Sequence, residues 1–323
     1  MNVTILGTGA YGLALSSMFN LNNCIITMWT RFEEEKIKLE NERCNKLVLP
    51  EYKISENVKF TTSLEESVKD ANVIVIAIPV KFVANIINEL KKYYKKNQHI
   101  CIASKGIEQG SCLFIASIVK KNIKTNRICV ISGGTFAVDM VMNVPLGLSL
   151  ASRSKSTISI MKKTLQNEYL KLIPTSDIFG VEMYGAIKNV VAIASGMIDG
   201  MGYPESTKCM FITKSLNDIV NLIYEMGGNK KTILTYAGIG DLLLTCNSIK
   251  SRNYSFGKMI GERKDMEVIN EYKNTTTIEG LYTLKSIYDL IHRRKIKMPI
   301  INIIYDIVYH DKDVKLLEDY LKR

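Results

Sequence analysis

The first half of the chain alternates short apolar runs with amphipathic stretches. The apolar runs are continuous and rich in β-branched residues, which is typical of strands buried on both faces of a parallel sheet. The predicted strands are 3–6, 24–29, 73–78, 100–104 and 128–132, and two further runs that extend the sheet are 146–151 and 169–173. The helical patterns between them are 11–20, 32–44, 80–94 and 111–121. This alternation predicts a doubly wound, mostly parallel α/β sheet.

After about residue 178, strand signals are nearly absent and helical periodicity takes over. The predicted helices are 180–199, 206–226, 253–262, 279–294, 299–309 and 312–322. The chain therefore divides into a sheet domain, residues 1–178, and a second, all-helical domain, residues 179–323. The apolar stretch 184–198 comes nearest to a membrane helix but falls short of the roughly 20 residues required. We therefore expect no integral membrane segment.

A glycine-rich sequence links the first strand to the first helix. "VTILGTGAYGLAL" places Gly7, Gly9 and Gly12 in the order G-x-G-x-x-G. The first glycine permits a tight turn, the second lets a pyrophosphate approach the backbone, and the third lets the helix pack on the strand. The helix N-terminus then offers free N–H groups to phosphate. The sequence predicts a dinucleotide-binding domain of the Rossmann type.

The end of the second strand indicates which dinucleotide binds. An enzyme restricted to NAD has an acidic residue there, whereas a cation pairs with the 2′-phosphate of NADP. Here the strand ends "MWTR", which puts Arg31 at this position. We therefore expect NADP or NAD as cofactor, with NADP favoured. Glu33 and Glu34 follow closely, and a surface arginine without a ligand is the alternative.

Composition narrows the range of partners and compartments. The net charge is +11, but the basic residues are scattered, and the runs "LKKYYKK" and "HRRKIK" suit solvated helix faces better than a nucleic-acid groove. Seven cysteines occur without a CxxC pair or a Cys/His cluster, so we expect no metal site. That cysteine usage favours a reducing cytoplasm. The chain begins directly with a strand, so we expect no signal peptide. We expect a cytoplasmic protein without a nucleic-acid partner.

Two lysines are the candidates for proton transfer, because the three histidines lack glycine-rich or cleft-like neighbours. Lys188 interrupts the apolar helix "GAIKNVVAIASG", where Ser195 and Asp199 share its face, and Lys105 follows a buried strand. Burial and a neighbouring cation both lower the pKa of a lysine, which then exchanges a proton with a substrate hydroxyl. On residue chemistry alone, a side chain that reaches out to solvent explains Lys188 equally well.

Three further segments suggest anion binding. "SGGTF" (132–136) follows a strand and presents backbone N–H groups. "YAGIGDLLLTC" puts Asp241 and Thr245 one helical turn apart. "KSRN" (250–253) includes Arg252, whose planar guanidinium suits phosphate. Each segment by itself also fits a structural turn.

Taken in order, these segments resemble the bacterial-type NAD(P)-dependent glycerol-3-phosphate dehydrogenases. The matching blocks, from residue 3 to about 309, are GxGxxG, "SKGIE", "SGxTFA", "GVExxGAxKNVxAIAxGxxDGxG", "AGxGDLxxTCxSxxSRNxxFG" and "EGxxT…MPI". The resemblance implies reversible hydride transfer between glycerone phosphate and sn-glycerol 3-phosphate, a small-molecule phosphate substrate, which feeds glycerophospholipid synthesis. It also implies a Rossmann-type domain followed by an all-helical domain, usually as a homodimer.

The resemblance assigns expected roles to individual residues. Lys188 is the implied proton donor and acceptor, and we expect Lys105, Asp241 and Thr245 to act beside it. The implied substrate contacts are Lys105, Gly133, Thr135, Lys188, Asp241, Ser251, Arg252 and Asn253. The implied cofactor contacts are Gly7, Gly9, Ala10, Tyr11, Gly12, Arg31, Lys105, Ala137, Arg252 and Glu279.

The sequence departs from the family pattern in places. Gly134 stands where the family has proline, Val48 replaces a tyrosine, Ser206 an asparagine and Lys214 an arginine. None of these changes removes an expected catalytic group, although Gly134 makes its loop more flexible. Two alternatives stay open: a related enzyme acting on a β-hydroxy acid or a phosphosugar acid, and a cofactor-sensing protein without catalysis.

Overall fold

The structure is a computed structural model that describes residues 1–322. The strands are β1 Asn2–Leu6, β2 Ile25–Trp29, β3 Val58–Thr61, β4 Val73–Ile76, β5 His99–Ile102, β6 Ile128–Ser132, β7 Leu146–Ala151 and β8 Leu170–Thr175. Within the described residues they form one eight-stranded sheet in the order β3-β2-β1-β4-β5-β6-β7-β8. Neighbouring strands are parallel except β6 and β7. The predicted doubly wound, mostly parallel sheet is confirmed.

Helices alternate with these strands and then follow them. The helices of the first part are α1 Ala10–Leu21, α2 Glu33–Glu42, α3 Leu64–Val68, α4 Val80–Leu90, α5 Ile115–Ile123, α6 Ala137–Met140 and α7 Lys155–Leu165. The later helices are α8 Ile178–Gly200, α9 Glu205–Glu225, α10 Asp241–Cys246, α11 Arg252–Gly261, α12 Met266–Thr275, α13 Glu279–Arg294, α14 Pro299–Tyr309 and α15 Leu316–Lys322. A 3-10 turn, Lys230–Leu234, and a π-type turn, Tyr236–Gly240, precede α10.

Sequence periodicity missed the short or polar elements β3, α3, α6, α7 and α12. β3 has only four residues, and α12 buries Ile269 alone among its own side chains, so neither has a long apolar face. The helix predicted over 111–121 begins instead at Ile115. Residues 111–114 belong to a different substructure, in which Ile107 and Phe114 form an isolated antiparallel bridge.

The chain forms two compact units whose bounds differ from the predicted domains. The first unit is Met1–Ser104 with Ile115–Ile178, and the second is Lys105–Phe114 with the chain from Phe179 onwards. Segment 105–114, which the sequence prediction placed in the sheet domain, thus packs with the helices. Its side chains Ile107, Cys112 and Phe114 are buried in the helical core, where the ring of Phe114 meets that of Phe179 edge-on at 5.2 Å.

Helix α8 runs through the core of the second unit, and every residue from Val181 to Ile198 is buried. The sequence prediction judged this apolar stretch too short to span a membrane. That judgement was wrong on length and composition, since α8 has 23 residues and is apolar enough to cross a bilayer. However, 89% of its apolar window is buried inside the protein. Packing in the interior therefore accounts for its composition.

Helices α8 and α11 touch backbone to backbone. A Cβ atom added at Gly257 of α11 would lie 1.8 Å from the carbonyl oxygen of Ile193 in α8. A Cβ atom added at Gly196 of α8 would lie 2.0 Å from the carbonyl oxygen of Tyr254 in α11. Only glycine fits either position, so this contact sets how closely the helix that carries Lys188 approaches the one that begins at Arg252.

Candidate active site

Charged side chains meet inside the second unit, around Asp241. The Asp241 carboxylate accepts a hydrogen bond from Lys188 through Oδ1 and one from Lys105 through Oδ2, the latter at 2.7 Å. Lys188 Nζ also donates to Thr245 Oγ1 at 3.0 Å. The side chains of Lys188 and Asp241 are 10% and 2% exposed. The structure thus brings together the four residues predicted to be catalytic, while their individual roles stay predictions.

Burial and neighbouring charges tune the protonation of this cluster. Loss of solvation lowers the pKa of Lys188 from 10.5 to about 8; the Asp241 carboxylate opposes this shift and Lys105 adds to it. Burial by itself would raise the pKa of Asp241, but the two ammonium groups outweigh that effect and the pKa is lowered. Asp241 therefore stays charged, whereas Lys188 loses its proton not far above neutral pH. A buried lysine with such a pKa is suited to proton transfer.

The local backbone explains how Asp241 reaches the lysines. The π-type turn Tyr236–Gly240 ends directly before Asp241, which is the first residue of α10, and a helix N-terminus favours a carboxylate. One turn later, the Thr245 hydroxyl donates to the Asp241 main-chain oxygen at 2.6 Å. Its oxygen is then oriented to accept from Lys188. The one-turn spacing read from the sequence is what places both side chains on this face.

A buried amide connects three helices next to the charged cluster. Asn253 Nδ2 donates to Asn189 Oδ1 at 3.0 Å, and Asn253 Oδ1 accepts from the Gly280 N–H at 2.8 Å. These three residues belong to α11, α8 and α13. In the sequence they directly follow the predicted site residues Arg252, Lys188 and Glu279. We call this contact the Asn253 bridge, and it fixes the three helices relative to one another at the predicted site.

The other predicted residues of the second unit lie at helix starts. Ser251 caps α11, because its Oγ accepts from the Tyr254 N–H at 3.3 Å. Arg252, the first residue of α11, is exposed. Glu279 begins α13; loss of solvation raises its pKa, and the positive charges of Arg252, Lys105 and Lys188 oppose that rise. The substrate or cofactor contacts expected of Ser251, Arg252 and Glu279 stay predictions.

In the first unit, the glycine-rich loop has the shape needed for a dinucleotide. Gly7 has φ +119°, and a Cβ atom there would lie 2.6 Å from the carbonyl oxygen of Ala77. Gly9 precedes α1, which has no side-chain cap, and a Cβ atom at Gly9 would meet nothing within 4 Å. At Gly12, a Cβ atom would lie 2.5 Å from the Gly7 oxygen, so α1 packs closely on the loop. Open space beside uncapped N–H groups fits a pyrophosphate.

The remaining predicted residues of the first unit surround this loop or follow neighbouring strands. Tyr11 OH lies 3.4 Å from Thr135 Oγ1, which joins α1 to the "SGGTF" loop. Gly133 packs against β7, and Ala137 begins α6 directly after Phe136. Arg31 is exposed beyond the end of β2. Ala10 is the first residue of α1. The contacts expected of these residues with a cofactor stay predictions.

Sequence reasoning missed a carboxylate beside the glycine-rich loop. Glu35 of α2 accepts from Thr8 Oγ1 through Oε1 at 2.8 Å and from Thr30 Oγ1 through Oε2. Thr8 lies between the first two glycines of the loop, and Thr30 follows β2. Thr8 and Glu35 are 27 residues apart, and no periodicity links them. We call this contact the Glu35 tether.

The polar residues predicted to share a face with Lys188 have structural partners. Ser195 Oγ donates to the Cys246 carbonyl at 2.7 Å. Asp199 pairs with Lys258 at 2.7 Å and with Lys208 at 3.4 Å. This face of α8 therefore packs on its neighbouring helices, and Lys188 is the residue through which it joins the charged cluster. The pairs of Asp199 were not foreseen from the sequence, since they join residues of three separate helices.

Comparison with known protein families covers most of the chain. Residues 2–158 match the family model described as the NAD-dependent glycerol-3-phosphate dehydrogenase N-terminus. Residues 177–318 match the one described as the NAD-dependent glycerol-3-phosphate dehydrogenase C-terminus. The two matches follow one another along the chain in that order.

Individual proteins are similar over nearly the full length. The chain is 34% identical over 315 residues to glycerol-3-phosphate dehydrogenase [NAD(P)+] of Wigglesworthia glossinidia brevipalpis, covering 97% of this chain and 95% of that protein. It is 32% identical over 316 residues to the protein of the same name from Agathobacter rectalis, covering 97% and 93%. The crystal structure of glycerol-3-phosphate dehydrogenase from Coxiella burnetii superposes with a TM-score of 0.95 at 28% identity, covering 100% and 99% of the two chains.

Proposed function

Since this chain belongs to the NAD-dependent glycerol-3-phosphate dehydrogenase family, we propose that it catalyses reversible hydride transfer between glycerone phosphate and sn-glycerol 3-phosphate. The observation that carries the proposal is the buried cluster in which Asp241 holds Lys188 and Lys105. A lysine with a pKa of about 8 serves either direction of the reaction near neutral pH.

In the oxidation of glycerol 3-phosphate, neutral Lys188 accepts the proton of the C2 hydroxyl through its Nζ. In the reduction of glycerone phosphate, the Lys188 ammonium donates a proton to the C2 oxygen and stabilises its developing negative charge. The nicotinamide, when bound, takes up or supplies the hydride at C2. Asp241 and Thr245 hold the Lys188 amine in one orientation through the hydrogen bonds described above.

Arg252 is the proposed anchor for the substrate phosphate. It is an exposed cation at the first position of α11, where main-chain N–H groups also favour an anion. Asn253 has an NH2 group with two hydrogens, and its bond to Asn189 uses one of them. The second is available for the phosphate or a hydroxyl. Binding energy at the phosphate would then orient C2 for reaction.

The cofactor is NADP or NAD, bound by the glycine-rich loop and α1. Gly9 and the start of α1 would hold the pyrophosphate, and Arg31 would pair with a 2′-phosphate when NADP binds. Lys105 and Glu279 are proposed to contact the cofactor, with Lys105 also contacting the substrate. These assignments rest on the family resemblance of the segments that contain them.

We also propose a cellular role, a compartment and an oligomeric state for the enzyme. Its product supplies the backbone of glycerophospholipids, and the enzyme acts in the cytoplasm as a homodimer. All seven cysteines are free, including Cys209, which is exposed. Free cysteines support a reducing compartment.

The test is the oxidation of NADH or NADPH by the purified protein with glycerone phosphate, followed by absorbance. Lys188→Met should lower turnover by about 10³-fold, the scale of a lost general acid, while nucleotide binding stays near that of the wild type. Lys285→Met, which changes an exposed lysine of α13, is the matched control and should be fully active. Full turnover by Lys188→Met would disprove its role. In the oxidative direction, reduction of NAD or NADP by a β-hydroxy acid or a phosphosugar acid as fast as by glycerol 3-phosphate would disprove the proposed substrate.

A further inference from the structure

The Glu35 tether places a negative charge where a dinucleotide-binding unit reads its adenosine ribose. In such units, the residues just past the second strand meet the ribose 2′-position, close to the glycine-rich loop. Thr8 belongs to that loop and Thr30 follows β2, and both side chains are buried with 4% exposure. Because Glu35 bonds both hydroxyls, its carboxylate lies between these two segments.

The end of β2 has no acidic residue of its own, since Thr30 and Arg31 occupy it. Glu35 supplies the carboxylate from the first turn of α2 instead. Each of its oxygens accepts one threonine hydroxyl, and each has a further lone pair that can accept from a ribose hydroxyl. The tether therefore restrains the Glu35 side chain and leaves its carboxylate able to accept further hydrogen bonds.

The same carboxylate opposes a 2′-phosphate. Two negative groups that share a site repel one another, most strongly where part of the solvent is excluded. Arg31 acts in the opposite direction, but it is exposed, and exposed ion pairs contribute little to affinity. The tethered carboxylate thus has a stronger influence on the 2′-position than the exposed guanidinium.

We propose that Glu35 is a specificity-determining residue that makes this chain prefer NAD(H) to NADP(H). The inference rests on the proposed cofactor site, and it assigns the choice between the two dinucleotides to α2 rather than to Arg31 alone. Thr8 and Thr30 are positioning residues that act through Glu35.

The experiment measures dissociation constants of NADH and NADPH for the full-length protein by fluorescence titration. The wild type should bind NADH more tightly. Glu35→Gln should shift the NADH/NADPH affinity ratio toward NADPH by about tenfold or more, the effect of one close charge at partial solvent exposure. Glu34→Gln changes the exposed neighbour on the same helix turn and should leave the ratio within about twofold. Tighter NADPH binding by the wild type, or a smaller shift in Glu35→Gln, would overturn the proposal.

The wild-type protein gives a second test that needs no variant. Adenosine 2′,5′-bisphosphate should bind at least about tenfold more weakly than 5′-AMP in calorimetry, for the same electrostatic reason. Equal or tighter binding of the bisphosphate contradicts the role of Glu35. Because both tests read binding, they stand apart from the proposed reaction: absence of turnover with glycerone phosphate would disprove the proposed function and leave the Glu35 result to be judged separately.

Discussion

At the residue scale, the chemistry centres on the protonation of Lys188. Its ammonium group is disfavoured by burial and by Lys105 and favoured by Asp241, and the pKa that results is about 8. Had the site contained Lys188 and Asp241 alone, the carboxylate would have opposed the loss of the proton with no second cation to offset it. Lys105 therefore tunes Lys188 electrostatically, and both ammonium groups bind the Asp241 carboxylate.

The two directions of the reaction should depend on pH in opposite ways. Oxidation of glycerol 3-phosphate needs neutral Lys188, so its kcat/KM should rise as the pH increases through about 8. Reduction of glycerone phosphate needs the ammonium form, so its kcat/KM should fall over the same interval. Initial rates in both directions across this range test the prediction, after confirming that the protein is folded at each pH. If kcat/KM rose with pH in both directions, or fell in both, the prediction would be contradicted.

Substitution of the two partners should move that midpoint in opposite directions. Asp241→Asn removes the charge that favours the ammonium form, so the midpoint should shift to lower pH. Lys105→Met removes a repelling cation, so the midpoint should shift to higher pH. Both variants should also lose activity, and the sign of the shift in the residual rate profile is the measurement. A purely structural role for Asp241 or Lys105 would lower the rate without moving the midpoint.

Sequence reasoning predicted much of this site at the level of residues. Lys188 stood out because a charge in an apolar helix needs an explanation, and Asp241 and Thr245 because their spacing puts them on one face. The Glu35 tether and the Asn253 bridge were not predicted, since each joins side chains that only the fold brings together. For the same reason, the sequence did not reveal that Asn253 is a structural link as well as a candidate ligand.

At the scale of elements, the close contact of α8 with α11 controls the position of the site. The helix that carries Lys188 and the helix that begins at Arg252 meet at glycines, so their separation is set by main-chain atoms. The apolar composition of α8 predicted a core helix. It did not predict this contact, because the sequence does not show which helix the glycines of α11 pack against.

Gly257→Ala should destabilise the protein because the new methyl group overlaps the Ile193 carbonyl oxygen, 1.8 Å away. Overpacking of this kind costs about 1–3 kcal/mol, which urea unfolding followed by circular dichroism would measure. Gly240→Ala is the control, since its Cβ atom would meet nothing nearer than Thr235 O at 4.0 Å. That variant should unfold at an unchanged or slightly higher urea concentration. Equal loss in both variants would show that the contact with α8 is not the cause.

At the scale of the whole molecule, one early segment of the chain belongs to the compact unit that is formed mainly by residues much later in the chain. The strand and helix patterns predicted the mostly parallel sheet, except β3, and the helical second half, and the sequence motifs indicated the family. They did not predict that segment 105–114 belongs with the helices, because residues 105–110 carry no periodicity and residues 111–114 were assigned to the start of a helix of the sheet domain. Its assignment depends on Ile107, Cys112 and Phe114 filling a core made by residues far along the chain.

A fragment cut at the predicted domain boundary should therefore fold poorly. Residues 179–323 alone lack the three side chains that segment 105–114 contributes, and removal of one large core side chain costs about 2–5 kcal/mol. The same fragment with residues 105–114 joined to its N-terminus by a Gly/Ser linker is the matched comparison. The joined fragment should unfold cooperatively in urea and the shorter one should not. Identical unfolding curves would place the segment outside the helical core.

The two hydrogen bonds of the Asn253 bridge require one orientation of the Asn253 amide. The Gly280 N–H can only donate, so it compels Asn253 to turn its oxygen toward α13 and its NH2 group toward Asn189 of α8. Aspartate has the same outline but no donor, and leucine has neither end. The alignment of three helices thus depends on two chemically unlike atoms at the tip of one side chain. Asn253→Asp would therefore keep the shape of the side chain and still lose the hydrogen bond to Asn189.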